Sequence, residues 1–126
     1  ARLVNLTTKE VQDDRINIAS NFAEKWDITV VLKGNNTVIA TSDGRVYINE
    51  TGNNGMATAG SGDVLAGIIA AIIGQKKSII ESAILGVYLH GLAGDIAVSR
   101  LNEYSIKASD IIKSLPEAIN QLRNKE

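Results

Sequence analysis

The stretch Thr51–Gln75, TGNNGMATAGSGDVLAGIIAAIIGQ, decides the fold. Five of the eleven glycines lie between Gly52 and Gly67, and up to Gly62 almost no side chain is large enough to pack. Val64–Ile73 is by contrast almost continuously apolar, which predicts a helix buried on every side, between a sheet and other helices. A bare loop running straight into a helix leaves the first N–H groups of that helix unpaired at the mouth of the loop. Those amides and the helix dipole suit an anion, and small residues let a phosphate approach the backbone closely. Gly60 and Gly62 take positive φ cheaply, so the amides of Ala59, Gly60, Ser61 and Gly62 can turn inward as a cradle. Asp63, an acid in a place prepared for negative charge, is the candidate for chemistry. The plain structural alternative is that Asp63 caps the helix.

Two familiar phosphate motifs do not fit. A P-loop ends in Gly-Lys-Ser/Thr, whereas Gly62 is followed by Asp63. A dinucleotide fingerprint needs a third glycine where this chain has Leu65. What remains is an anion loop with one poised acid. A carboxylate there can accept a hydroxyl proton as the oxygen attacks phosphorus, while the loop amides offset the charge.

Upstream, Thr7 and Glu10 have capping-box spacing, and Val11, Ile18, Phe22 and Trp26 recur with Ala19 and Ala23 beside them. An amphipathic helix on a sheet is expected, with Asp13, Asp14, Arg15 and Glu24 on its polar face and Trp26 as its last core contact. Ile28–Leu32 reads as a short buried parallel strand ending in the polar turn Lys33-Gly34-Asn35-Asn36-Thr37, and ligands of open α/β sheets gather at such ends. An ordinary turn with Lys33 in solvent is the alternative. Thr37–Thr41 and Arg45–Asn49 form an antiparallel hairpin around Asp43-Gly44, with Tyr47 facing away from Val46 and Ile48.

Downstream, Gly67 costs the first helix roughly 1 kcal/mol against Ala, which suggests a close neighbour. Ser78 and Glu81 start a second helix that runs towards Val98 or Leu101 and needs tight packing to tolerate Gly86, Gly91 and Gly94. His90, the sole histidine, reads as a hydrogen-bonded core or rim residue, with Asp95 near it. Ser109 is expected to cap a helix over Asp110–Leu115, with Pro116 kinking it or opening another. Lys113, Glu117, Arg123 and Lys125 mark a solvated surface, and the last residues are expected to fray.

Thirteen basic and fourteen acidic residues, with no block of like charge, argue against nucleic acid as a partner. No uninterrupted apolar run nears the roughly 18 residues of a membrane span, so no membrane partner is expected. Without cysteine there are no disulfides or thiolate metal sites, and a soluble, cytoplasmic protein is expected. Asn5, Asn35 and Asn49 open chance glycosylation sequons. At 126 residues and 44% hydrophobic the chain can form a real core.

The segment Asn53-Asn54-Gly55-Met56-Ala57-Thr58-Ala59-Gly60-Ser61-Gly62-Asp63-Val64-Leu65-Ala66-Gly67 resembles the signature of the ADP-dependent NAD(P)H-hydrate dehydratases, of the ribokinase-like superfamily. Val31–Thr37 and Gly86–Gly91 agree with it in order. Gly-x-Gly-Asp is shared with sugar and vitamin kinases; the Asn-x-Gly-Met-Ala-Thr approach is more particular. The resemblance implies an α/β fold, the C-terminal part of a ribokinase-like three-layer αβα domain, with residues 1–126 the portion of that single domain lacking its N-terminal half. The chain begins at Ala1, and as half a domain it is expected to cover its open surface, as a homo-oligomer or against the absent part. The resemblance further implies that Asp63 contacts hydrated NADH or NADPH as catalytic residue and Gly62 the nucleotide phosphates. Lys33, Gly34, Asn35, Asn36 and Thr37 would line the AMP portion of ADP (or ATP), with Mg²⁺ on the polyphosphate and no metal held by side chains. Phosphorylation of the ring hydroxyl and elimination would repair the cofactor, with little activity expected of this chain alone. A kinase of small alcohols and a non-catalytic assembly half-domain are the alternatives.

Overall fold

A computed structural model describes residues 1–124. Lys125 and the last-residue fraying lie outside the described residues. The chain forms two compact units, Ala1–Asn49 and the residues from Glu50 onward.

The first unit opens with a 3₁₀ turn at Arg2–Val4, followed by α1 (Thr8–Asp13) and α2 (Arg15–Trp26). The capping box forms: the Glu10 amide donates to Thr7 Oγ1 at 3.2 Å and the Thr7 amide to the Glu10 carboxylate at 2.7 Å. The single helix expected here is interrupted at Asp14, whose backbone (φ −141°, ψ 53°) leaves the helical region. Asp14 Oδ1 instead accepts from Asn17 Nδ2 at 2.9 Å, the local side-chain bonding by which Asp competes with helix. Ala19 and Ala23 bring α2 close to Val38 and Ala40 of the sheet. Trp26 is not the expected core contact: it is 59% exposed, its ring 6.2 Å from that of Phe22 and under Lys25 Nζ. The alanines make the contact with the sheet, and the large ring of the last turn lies outside it.

The sheet is β1 (Val30–Leu32), β2 (Thr37–Ala40) and β3 (Val46–Asn49), in that order and antiparallel throughout, with Val31 opposite Ile39 and Ile39 opposite Tyr47. The parallel strand expected at 28–32 is therefore corrected: β1 is three residues long and runs antiparallel to β2. The connection 33–36 is far too short for the crossover a parallel neighbour needs. The β2–β3 hairpin forms as expected, with Gly44 at φ 85° in its turn. Hydrogen bonds from Arg45 and Thr41 hold the Asp43 carboxyl well below the usual carboxylate range. By strand alternation Val46 joins the α2 side of the sheet and Tyr47 faces the other way.

The second unit contains a 3₁₀ turn at Asn54–Met56, then α3 (Ser61–Gly74), α4 (Ile79–Arg100) and α5 (Ala108–Arg123), packed around Ile72, Leu89, Ala93, Ile96, Ile111 and Ala118. The Ser78–Glu81 capping box starts α4 as expected. By length and composition α4 could cross a membrane, which the search for unbroken apolar runs missed. More than half of its most apolar window is buried within the structure, as in a core helix.

Two further expectations change. Helix α3 is not buried all round: Leu65 and Ile72 are buried, while Ala66, Gly67, Ala70, Ala71 and Ile73 are exposed. A side chain added at Gly67 would meet no atom within 4 Å, so nothing among the described residues approaches it closely. Helix α5 starts at Ala108, not at a Ser109 cap, and runs unbroken through Pro116. Pro116 and Ile112, whose carbonyl loses its helical donor, are both exposed, so the lost bond falls on the solvent-facing side of the helix.

Candidate functional site

The glycine-rich loop of the second unit is held by one helix. Asp95 of α4 accepts from the Gly52 amide at 2.9 Å and from Asn53 Nδ2 at 2.8 Å, one bond to each carboxylate oxygen. Thr51 Oγ1 donates to the Tyr88 carbonyl at 3.1 Å. The glycines of α4 supply the bed. A Cβ at Gly91 would lie 2.1 Å from Thr51 Oγ1, and one at Gly94 would lie 2.2 Å from Met56 Sδ. Gly86 serves the same purpose for Ile69 of α3, at 2.6 Å. The tight packing expected of these three glycines is thus found, and two of the three receive the loop itself.

His90 holds the far end of the loop. Its Nε2 lies 2.9 Å from the Ser61 carbonyl oxygen and 3.2 Å from Ser61 Oγ. A carbonyl can only accept, so this bond requires the proton on Nε2. His90 is buried and hydrogen-bonded, as its sequence context suggested. Asp95 is bound to the loop.

Gly60, at φ 83° and ψ −11°, is the N-cap of α3 and provides no side-chain cap. Ser61, Gly62 and Asp63 form the first turn. The Ser61 amide donates to the Thr58 carbonyl at 3.2 Å and the Val64 amide to Gly60 at 3.1 Å, so Ser61, expected among the cradle amides, is already paired, and of Gly60 and Gly62 only Gly60 takes positive φ. Among the described residues the amides of Ala59, Gly60, Gly62 and Asp63 have no acceptor. Asp63 is exposed in the first turn and forms no cap bond, so the capping explanation of this acid does not apply. The junction therefore combines unpaired amides, the positive end of a helix dipole and a solvent-accessible carboxylate.

In the first unit, Lys33, Gly34, Asn35 and Asn36 form an exposed bend between β1 and β2. Thr37 Oγ1 donates to the Gly34 carbonyl at 3.2 Å. Arg15 of α2 donates from Nη2 to the Leu32 carbonyl at 2.8 Å and from Nη1 to the Asn35 carbonyl. Sequence reasoning placed Arg15 on a solvated face, because nothing in its neighbourhood reveals a partner 20 residues away. It likewise missed Asp95's grip on the loop, which only the passage of Gly52 and Asn53 over α4 brings about.

A metal site built from side chains needs several acidic or histidine ligands together, and among the described residues no group of three such side chains occurs. Asp63 is the single acid between Thr51 and Gln75.

The protein-family profile described as NAD(P)H-hydrate dehydratase matches residues 1–117. The chain is 49% identical over 122 residues to the bifunctional NAD(P)H-hydrate repair enzyme of Moorella thermoacetica, covering 97% of this chain and 23% of that protein. It is 46% identical over 96 residues to the ADP-dependent (S)-NAD(P)H-hydrate dehydratase of Neisseria meningitidis, covering 76% of this chain and 32% of that one. In structure it resembles the ADP/ATP-dependent NAD(P)H-hydrate dehydratase of Bacillus subtilis co-crystallised with ATP and Mg²⁺ and soaked with CoA. The TM-score is 0.92 at 30% identity, covering 95% of this chain and 44% of that one. A ribokinase-like superfamily protein of Enterococcus faecalis matches with TM-score 0.71 at 38% identity, over 81% of this chain and 35% of its own. The chain thus spans between about a quarter and a half of the length of these relatives. With profile, relatives and fold in agreement, the chain belongs to the NAD(P)H-hydrate dehydratase family, within the ribokinase-like fold.

Proposed function

We propose that this chain supplies the phosphate cradle and the proton acceptor of an ADP- or ATP-dependent NAD(P)H-hydrate dehydratase, working as part of a longer protein. One observation carries the reading: four amides without acceptors among the described residues flank a carboxylate that caps nothing. A helix start leaves some amides unpaired in any case; here a glycine N-cap and small neighbours also leave them open to an incoming anion beside the acid. The names of the relatives support the hydrated cofactor as substrate and dependence on ADP or ATP.

In this reading Asp63 takes the proton of the ring hydroxyl as the hydroxyl oxygen attacks phosphorus. The amides of Ala59, Gly60, Gly62 and Asp63 and the dipole of α3 offset the charge gathering on the phosphoryl oxygens. The bond from phosphorus to the donor breaks in the same step. The phosphorylated oxygen then leaves with its electron pair, a neighbouring ring carbon loses a proton, and the dihydronicotinamide double bond returns. When bound, the nucleotide supplies the phosphoryl group, with Mg²⁺ on its phosphates. The turn Lys33–Thr37 is assigned to its AMP portion by the family resemblance.

The test is to incubate the longer protein with hydrated NADH or NADPH and either ADP or ATP. Return of the reduced-nicotinamide absorbance is expected, with Asp63→Asn cutting turnover roughly 100-fold or more at unchanged melting temperature. A lower melting temperature with an unchanged rate would overturn the role of Asp63. A stable phosphorylated alcohol in place of the repaired cofactor would mark a small-molecule kinase. Absence of any turnover would leave an assembly domain. The chain alone is expected to turn over little or nothing.

A further inference from the structure

We infer that Arg15 is a positioning residue for the nucleotide-contacting turn Lys33–Thr37, holding its carbonyls on one side so that its amides face a bound nucleoside. The inference rests on the nucleotide reading above and extends it to a residue outside the family signature.

The guanidinium spans the turn. Nη2 donates to the Leu32 carbonyl, the last of β1, at 2.8 Å, and Nη1 donates to the Asn35 carbonyl. The first carbonyl lies just before the bend and the second within it. In a trans peptide the C=O of one residue and the N–H of the next point in opposite directions, and among the described residues no peptide bond is cis. Drawing Leu32 and Asn35 carbonyls onto Arg15 therefore turns the amides of Lys33 and Asn36 away from it. Neither amide has an acceptor among the described residues. They are left as donors for acceptor atoms such as purine nitrogens or ribose oxygens.

Gly34 makes the arrangement possible. A Cβ there would lie 2.8 Å from Arg15 Nη2, 3.0 Å from Cζ and 3.1 Å from Nη1, so the guanidinium rests directly on the Gly34 backbone. Thr37 Oγ1 holds the Gly34 carbonyl, and by the same peptide geometry the Asn35 amide faces the opposite way. A planar fork with several donors suits two carbonyls at once; a lysine reaches them one at a time.

The experiment measures ADP binding and steady-state kinetics of the full-length protein with Arg15→Met and Arg15→Lys. For Arg15→Met the dissociation constant of ADP and the KM for nucleotide are expected to rise about tenfold, with Arg15→Lys in between. The kcat at saturating nucleotide and the KM for the hydrate should stay within about twofold of the unmutated enzyme. A merely structural Arg15 would lower the melting temperature and kcat together and leave nucleotide affinity alone, which would overturn the assignment. If Arg15→Met fails to fold, Arg15→Lys, which keeps stem and charge, decides by the same KM-against-kcat split. Unchanged affinity in a protein that binds ADP sinks the Arg15 role alone. An unmutated protein that binds neither ADP nor ATP sinks the nucleotide reading and this inference with it.

Discussion

Helices α3 and α4 follow one another, are both rich in apolar residues, and both carry glycine in their interiors, yet they begin in opposite ways. Helix α4 is closed at its start: Ser78 and Glu81 exchange hydrogen bonds and consume its first free amides. Helix α3 is open, with glycine as N-cap and no side chain satisfying its first turn. A closed start stabilises the helix within the chain. An open one, with glycine as N-cap, forgoes only a few tenths of a kcal/mol of capping and leaves its first donors open. The glycines repeat the contrast. Those of α4 each lie under another element, and Gly67 of α3 lies under nothing among the described residues.

Substitutions can break or sharpen that contrast. Gly91→Ala should do the most damage, because the new methyl would meet Thr51 Oγ1 at 2.1 Å and the Thr51 carbonyl at 2.7 Å, both in the backbone or close to it. A loss of about 3 kcal/mol in denaturant unfolding is expected, the upper range for overpacking. A neutral result would mean that the loop does not rest on α4. Asp95→Ala comes next: it removes two bonds to a carboxylate, and about 2 kcal/mol of stability should go with them, seen by the same unfolding measurement.

Gly67→Ala should act in the other direction and more weakly, stabilising the chain by up to about 1 kcal/mol through helix propensity alone. Destabilisation in the longer protein, with stabilisation in this chain, would show that another segment covers that face of α3.

The smallest effect concerns pH. Hydrogen bonds from Ser78 hold the Glu81 carboxyl below its ordinary 4.5. A depressed carboxylate contributes stability above its unfolded pKa and loses it as pH falls through the folded one. Glu81→Gln should therefore lower the melting temperature slightly at neutral pH, with the difference vanishing in acid below both values. A difference that persisted in acid would show that Glu81 acts by packing and not by its charge.

Much of this was legible because it is local. Capping boxes at Thr7 and Ser78 depend on residues three apart, the Asp43-Gly44 hairpin on adjacent turn residues, and the loop-to-helix junction at Gly60–Asp63 on two glycines two residues apart. Other features were legible only by half. The apolar pattern of α3 identified a helix but overstated its burial, since hydrophobicity states what a face tolerates and not what covers it. Trp26 was misread for a related reason: two alanines filled the contact that the larger ring suited by composition.

The amino-acid sequence by itself determined most of the element types, the family, and the glycine-rich loop with its single acid at a helix start, because periodicity, capping and glycine placement act over a few residues. Tertiary structure alone decided the antiparallel course of β1, the exposed side of α3, the hold of His90 and Asp95 on the two ends of the loop, and the reach of Arg15 to its turn. Each of these depends on groups separated by many residues along the chain. Their meeting is set by how elements pack, and no local preference encodes which distant carbonyl or amide a charged side chain will find.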